Sequence, residues 1–296
     1  MKKYICLRDD DTSFITKPED LSGAYDCYWN VLPVTLAAVP FSHGSQQLIL
    51  SCEDQPDKYG AVYDWEKKAS ANQLTAYHRT YPIGENRELV EFLKPMIRND
   101  KVEIAQHGVN HRYHQRGPEM LSDQQNLYTI RAGKEYLEKV FGIDVVTFVP
   151  PSNRVDRRVV KILAELGLHL FDSGSIHYNS FLEKLYNICC DIPGLCEKIA
   201  QSIKHEPRPI IRRCGTYIFG SPTFDKWRTI DDMYGSVIDN LEKTGFSGLG
   251  THYMLFSDME YKKKYLQLLD KLTQQSEIEF VTAKKYYELL MKKYYE

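Results

Sequence analysis

The sequence predicts an α/β fold, a (β/α) barrel of seven or eight mostly parallel strands decorated by loop insertions. Three observations lead there. Short apolar runs rich in β-branched and aromatic residues recur along the chain, segments with helical spacing separate most of them, and Gly142 and Gly167 each stand between a helical segment and a strand, where helices stop in a left-handed conformation. Alternation of strand and helix implies parallel strands joined by crossover helices, and about eight strands favour a closed or nearly closed barrel over an open doubly wound sheet.

Taken in order, the strand candidates are residues 4–7, 33–39, 102–105, 145–149, 168–171, 216–219, 247–251 and 278–281. The helical segments between them are 87–98, 123–141, 156–166, 229–243, 258–274 and 282–294, the last opened by Thr282 as N-cap. Residues 41–85 and 173–214 exceed a minimal alternation. Neither has the composition of a flexible linker, so both read as insertions in a single domain spanning residues 1–296.

With 296 residues, 43% of them hydrophobic and 26% charged, and only 17 Gly and 13 Pro, the chain is neither disordered nor collagenous. A chain of this size buries about three-quarters of its extended surface. Its 38 basic and 40 acidic side chains leave a formal charge of −2, which offers no overall attraction to nucleic acid or an anionic membrane. The seven cysteines are odd in number and include the adjacent pair Cys189 and Cys190, which suits reduced thiols better than a disulfide framework. A metal knuckle of Cys189, Cys190 and Cys196 is the sharper reading of that cluster, and buried thiols the plainer one. Residues 4–7 are too short for a signal-peptide core and no stretch approaches a membrane span, so a soluble cytoplasmic protein is expected.

Asp9, Asp10 and Asp11 follow the first strand at its carboxyl end, where βα proteins place their active sites. Alone they would read as a solvated acidic turn, with Asp11 or Thr12 capping a helix. His107 and His111 change that reading. They follow the strand at 102–105 with a spacing of four, which brings two imidazoles to one side of a helical turn. Two imidazoles and a carboxylate from another strand end make a divalent-metal site with open positions, suited to zinc foremost and also to cobalt, nickel or iron. His114, three residues further on, is the weaker ligand candidate. His252 ends another strand and is a candidate acid or base.

In order along the chain, Asp10-Asp11, His107-Gly-Val-Asn-His111, Phe148-Val-Pro-Pro-Ser152 and Gly250-Thr-His252 resemble the motifs of the polysaccharide deacetylases with a NodB homology domain, the group related to carbohydrate esterase family 4. Glu279-Phe-Val-Thr282 looks like the last strand of that fold, while Arg8-Asp9-Asp10 and Val39-Pro40 look closer to a divergent branch. The resemblance spans nearly the whole chain outside the two insertions. It implies a metal-dependent hydrolase that removes an N-acetyl or other N-acyl group from a sugar, oligosaccharide or glycan precursor. Asp10 would be the general base, Asp11, His107 and His111 the ligands of the divalent cation, and His252 the general acid. Aligning the motif one residue earlier makes Asp9 the base.

Two departures stand out. Val149 occupies the place of an arginine that holds the catalytic aspartate, which leaves Arg8 or Arg154 to substitute, and no aspartate–tryptophan pair is recognisable behind His252, with Asp172 only a positional candidate. These departures motivate an alternative, a catalytically impaired sugar-binding protein on the same barrel. Tyr113, Trp227, Tyr253 and Phe256 are candidate sugar-gripping aromatics.

Overall fold

The structure, a computed structural model, describes residues 2–45, 58–114, 117–172, 176–178, 181, 184–185, 191–204, 208–224 and 227–296. Along these residues the elements run β1 (Lys3–Thr12), α1 (Pro18–Tyr25), β2 (Val34–Ala38), β3 (Phe41–His43), α2 (Lys58–Lys68), α3 (Ala71–Tyr77), β4 (Thr80–Pro82), α4 (Arg87–Arg98), β5 (Val102–His107), α5 (Leu127–Phe141), β6 (Thr147–Val149), β7 (Val155–Asp156), α6 (Arg157–Glu165), β8 (His169–Phe171), β9 (Ile176–His177), α7 (Ile192–Lys204), β10 (Ile210–Arg213), β11 (Thr216–Phe219), α8 (Ile230–Thr244), β12 (Phe246–His252), α9 (Met259–Thr273), β13 (Ile278–Val281) and α10 (Ala283–Tyr294).

Every strand and helix read from periodicity is present. The first strand is longer than expected, because β1 continues through all three aspartates to Thr12. Asp11 and Thr12 therefore cap no helix. Helix α1, unforeseen, carries Pro18 in its first turn followed by Glu19 and Asp20, a legible start signal.

The main sheet has the order β10-β11-β8-β6-β5-β2-β1-β12, and each neighbouring pair is parallel except β10 with β11. β13 pairs with Lys3–Cys6 of β1, below the point at Arg8 where β2 takes over. Past β11 the chain reaches β12: the Gly250 N–H donates to the Pro222 carbonyl at 2.9 Å and the Phe224 N–H to the Gly250 carbonyl at 2.7 Å. The run of parallel strands from β11 round to β12 thus meets itself. The insertions differ in placement. β3 and β4 form a separate antiparallel pair, whereas β10, at the end of the second insertion, joins the main sheet at its edge.

Alternation along β1 sorts the core into two layers. Ile5 and Leu7 belong to the cluster between the sheet and its surrounding helices, while Cys6 packs with Ala37, Ala105, Val149, Phe171 and Phe219 inside the strands. Tyr286 and Leu290 of α10 complete the inner cluster. Thr282 holds the N-cap position of α10 without a side-chain cap. The first amides of that helix are satisfied by the sheet instead, Ala283 N–H by Thr35 Oγ1 and Lys284 N–H by Glu103 Oε2, each at 2.9 Å. Gly142 (φ 71°) and Gly167 (φ 66°) are left-handed, as their positions predict.

Among the described residues no helix is long and apolar enough to cross a membrane, and Cys6, Cys27, Cys196 and Cys214 are free thiols, Cys196 exposed and not buried as expected. Cys189 and Cys190 of the suggested knuckle lie outside the described residues.

Candidate active site

Three adjacent aspartates diverge because of strand geometry. Arg8 and Asp10 lie on the inner face with Cys6, so the Arg8 guanidinium crosses the interior to β8. There it donates to the Phe171 carbonyl at 3.0 Å, to Asp10 Oδ2 at 2.9 Å and to Asn153 Oδ1 at 3.1 Å. Arg8 is fully buried, its charge balanced by Asp10 and by the face of Phe171, 5.2 Å away. Asp9 points outward. Its Oδ2 accepts from the Tyr25 hydroxyl of α1 and its Oδ1 from the Tyr253 N–H at 2.8 Å, and burial pushes its carboxyl up to about 8.

By alternation Asp11 should follow Asp9 outward. It does not, because the β1–β2 register breaks between Asp9 and Thr12 and Asp11 adopts φ 73°. This irregularity swings its carboxylate back to the rim. Oδ1 there lies 3.1 Å from His107 Nε2 and 3.0 Å from His111 Nε2. Burial acts to raise the Asp11 carboxyl, but the His111 and His107 imidazoles hold it well below the usual carboxylate range.

His107 ends β5, and its Nδ1 lies 3.0 Å from the Val149 carbonyl, so that carbonyl fixes the tautomer that turns Nε2 toward Asp11. The expected helical turn between the two histidines is absent. Gly108 (φ 60°) and His111 (φ 55°) are left-handed, and the segment is a loop clamped by Glu119. The carboxylate of Glu119 accepts from Val109 N–H at 3.0 Å, Asn110 N–H at 2.8 Å and His111 N–H at 2.9 Å. A Cβ on Gly108 would sit 2.3 Å from Glu119 Oε2, so glycine is required there on both space and φ. Glu119 is fully buried and burial pushes its carboxyl up to about 7.

Asp11, His107 and His111 each offer a ligand atom, all within 4.8 Å of one another. Ligand atoms about 2.1 Å from a common cation lie about 3.0 Å apart when they subtend a right angle, the separation found for both carboxylate–imidazole pairs. The donor set therefore fits a divalent metal. His252, at the end of β12, brings Nε2 to 3.9 Å from both Asp10 Oδ2 and Asp11 Oδ2 and remains about a third exposed, at 32%. All five residues singled out for the site thus converge. His114 stays out of the cluster. Tyr113, Tyr253 and Phe256 are buried packing, and Trp227 is exposed.

Comparison with known proteins bears on the family and the fold. A family model described as polysaccharide deacetylase matches residues 47–171, the stretch that contains both histidines and the Val149–Ser152 segment. That match covers less than half of the chain and supports, without by itself establishing, membership of the polysaccharide deacetylase superfamily. No curated protein is significantly similar in sequence. Among solved structures, the fold is shared with a protein of Mycobacterium smegmatis assigned as a polysaccharide deacetylase (11% identity, TM-score 0.54, 99% of this chain and 91% of that one). It is shared too with a family 4 acetyl xylan esterase of Clostridium thermocellum, solved with a cobalt ion (13% identity, TM-score 0.50, 97% and 91%). A family 57 branching enzyme of Thermococcus kodakaraensis has the same fold (11% identity, TM-score 0.52, 100% and 72%). Fold likeness at this level does not choose among these activities.

Within this fold, the first of the two departures noted in the sequence acquires a physical account. Val149 is a fully buried inner-core residue whose contribution to the site is its carbonyl. The guanidinium beside Asp10 comes from Arg8, two residues away on the same strand face. Arg8 was foreseen as a substitute, whereas Glu119 was not, since a carboxylate eight residues past His111 carries no periodic signal.

Proposed function

We propose that this chain is a metal-dependent hydrolase that removes an N-acetyl or other N-acyl group from a carbohydrate or glycan precursor. One observation carries the reading: a carboxylate from β1 and two imidazoles from the end of β5 converge within ligand distance of one another, with Asp10 and His252 at the same rim.

An amide resists hydrolysis because water is a weak nucleophile and negative charge builds on the carbonyl oxygen. Asp11, His107 and His111 would hold a divalent cation, which would supply Lewis acidity toward the attacking water and the acyl carbonyl. Zinc is the first choice for such a donor set, with cobalt, nickel and iron close in chemistry. Asp10, its Oδ2 held by Arg8 and its Oδ1 buried without a hydrogen-bond partner, takes the proton of the attacking water. His252 gives a proton to the leaving amine. Each such group is worth about 10²- to 10⁴-fold. The arginine contact to Asp10 answers one of the two departures that motivate the impaired sugar-binding alternative.

Metal analysis after incubation with zinc, cobalt or nickel should find a bound ion in the wild type and none in Asp11→Asn or His107→Ala. Acetate release from N-acetylchitooligosaccharides or nucleotide-linked N-acetyl sugars should fall by about 10²- to 10⁴-fold in Asp10→Asn, with sugar binding kept. A wild type that binds metal and sugar but releases no acetate would establish the alternative instead.

A further inference from the structure

Against β3, which hydrogen-bonds the loop between His107 and His111, lies a cavity of about 530 Å³, within the usual range for small-molecule sites. It is built by the loop after β1 together with β3, α2, α3 and β4. Its walls are largely aromatic: Phe14 and Tyr81 are 5.3 Å apart by ring centroid, Trp65 and Tyr77 5.1 Å, and His43 meets Tyr77 edge-on at 5.0 Å. We propose that this cavity is a carbohydrate subsite that seats a pyranose ring of the substrate next to the hydrolytic centre. The proposal rests on the deacetylase reading and adds where the sugar chain binds.

The chemistry of the lining selects that ligand. A pyranose has apolar C–H faces that pack on aromatic rings and a rim of hydroxyls that need hydrogen-bond partners. Ser42 lines the cavity, is 1% exposed, and its Oγ has no hydrogen-bond partner. A buried hydroxyl in that condition is destabilising until a partner arrives, which a ligand hydroxyl would supply. Among the described residues that line the cavity no side chain carries a formal charge with His43 neutral, so an anionic ligand finds no counter-ion among them. A fatty chain, conversely, would leave the Ser42 hydroxyl unsatisfied.

Position ties the cavity to the reaction. The Phe41 N–H donates to the Val109 carbonyl at 3.1 Å and the His43 N–H to the Asn110 carbonyl at 2.9 Å, so β3, which carries Ser42, lies on the loop joining the two histidines. Phe14 stands three residues after Asp11. Tyr113, whose ring is 5.8 Å from that of His111, packs in one cluster with Tyr77 and Trp65.

The test uses the full chain and N-acetylchitooligosaccharides from the monosaccharide to the pentasaccharide, with calorimetric binding measured on the Asp10→Asn protein. Trp65→Ala and Ser42→Ala should each weaken pentasaccharide binding about tenfold or more, and on an otherwise wild-type background raise KM by a similar factor while kcat changes little, the signature of uniform binding. Trp65→Phe should keep most of the affinity and abolish a sugar-induced change in tryptophan fluorescence. Metal content equal to that of the wild type reports that each variant is folded. Unchanged affinity and KM in both alanine variants overturn the subsite while leaving the hydrolase reading intact. Trp65-dependent binding with no acetate release from any protein supports the subsite and sinks the hydrolase reading.

Discussion

At the scale of single residues, the site depends on which way successive side chains of β1 point. Cys6, Arg8 and Asp10 face inward, and Arg8 spans to Phe171 on β8, a strand that is not adjacent to β1 in the sheet. Replacing Arg8 with Met would leave Asp10 as a buried carboxylate without its counter-charge. Breaking a buried pair in this way costs about 3–5 kcal/mol, so Arg8→Met should lower the denaturation midpoint markedly. Arg8→Lys should retain charge but lose the fork, with kcat falling more than stability. Denaturant titration and steady-state kinetics of the two variants together check this, and wild-type kcat in Arg8→Lys would refute a positioning role. The five proposed site residues were legible because their types and spacings sit at strand ends. The destination of Arg8 was not, since it depends on closure bringing β8 opposite β1. Nor was the return of Asp11 to the rim, which needs a positive φ that no residue type announces.

At the scale of elements, strands and helices were legible where burial imposes a period of two or between three and four. The end of β1 was misread because aspartates are poor strand formers by propensity, yet here each is buried and paired. The turn between His107 and His111 was misread because the spacing fits a helix, whereas Gly108 and His111 are left-handed and Glu119 binds three successive amides. That clamp is an outer-shell support for a ligand, and losing such support typically weakens metal binding about 10- to 100-fold. Glu119→Gln preserves the shape but has one acceptor oxygen where the carboxylate has two, so it should sit at the mild end of that range and Glu119→Ala at the severe end. Competitive zinc titration against a chelator measures the ratio directly. Equal affinities in wild type and Glu119→Ala would show that the loop holds its shape unaided.

At the scale of the whole molecule, the inner cluster is completed from the chain's far end, where α10 docks its first amides on Thr35 and Glu103 and packs Tyr286 against Phe171 and Phe219. The same helix stacks Tyr287 on His169 of β8, with centroids 3.5 Å apart. Burial holds the His169 imidazole down to about 4 from its ordinary 6.5. Between those values the unfolded chain binds a proton that the folded chain refuses, so this histidine makes stability fall as pH drops from about 6.5 to about 4, at no more than about 1.4 kcal/mol per pH unit. His43, lowered to about 3, and His114, lowered as well, act with the same sign and keep part of the slope. His169→Phe retains an aromatic ring against Tyr287 and removes the proton site. Its stability should match the wild type near pH 7.5 and exceed it increasingly toward pH 4.5, as read from urea midpoints across that range. Parallel curves would mean that His169 charges in place, and that the α10 contact on β8 yields to admit the proton without weakening the fold.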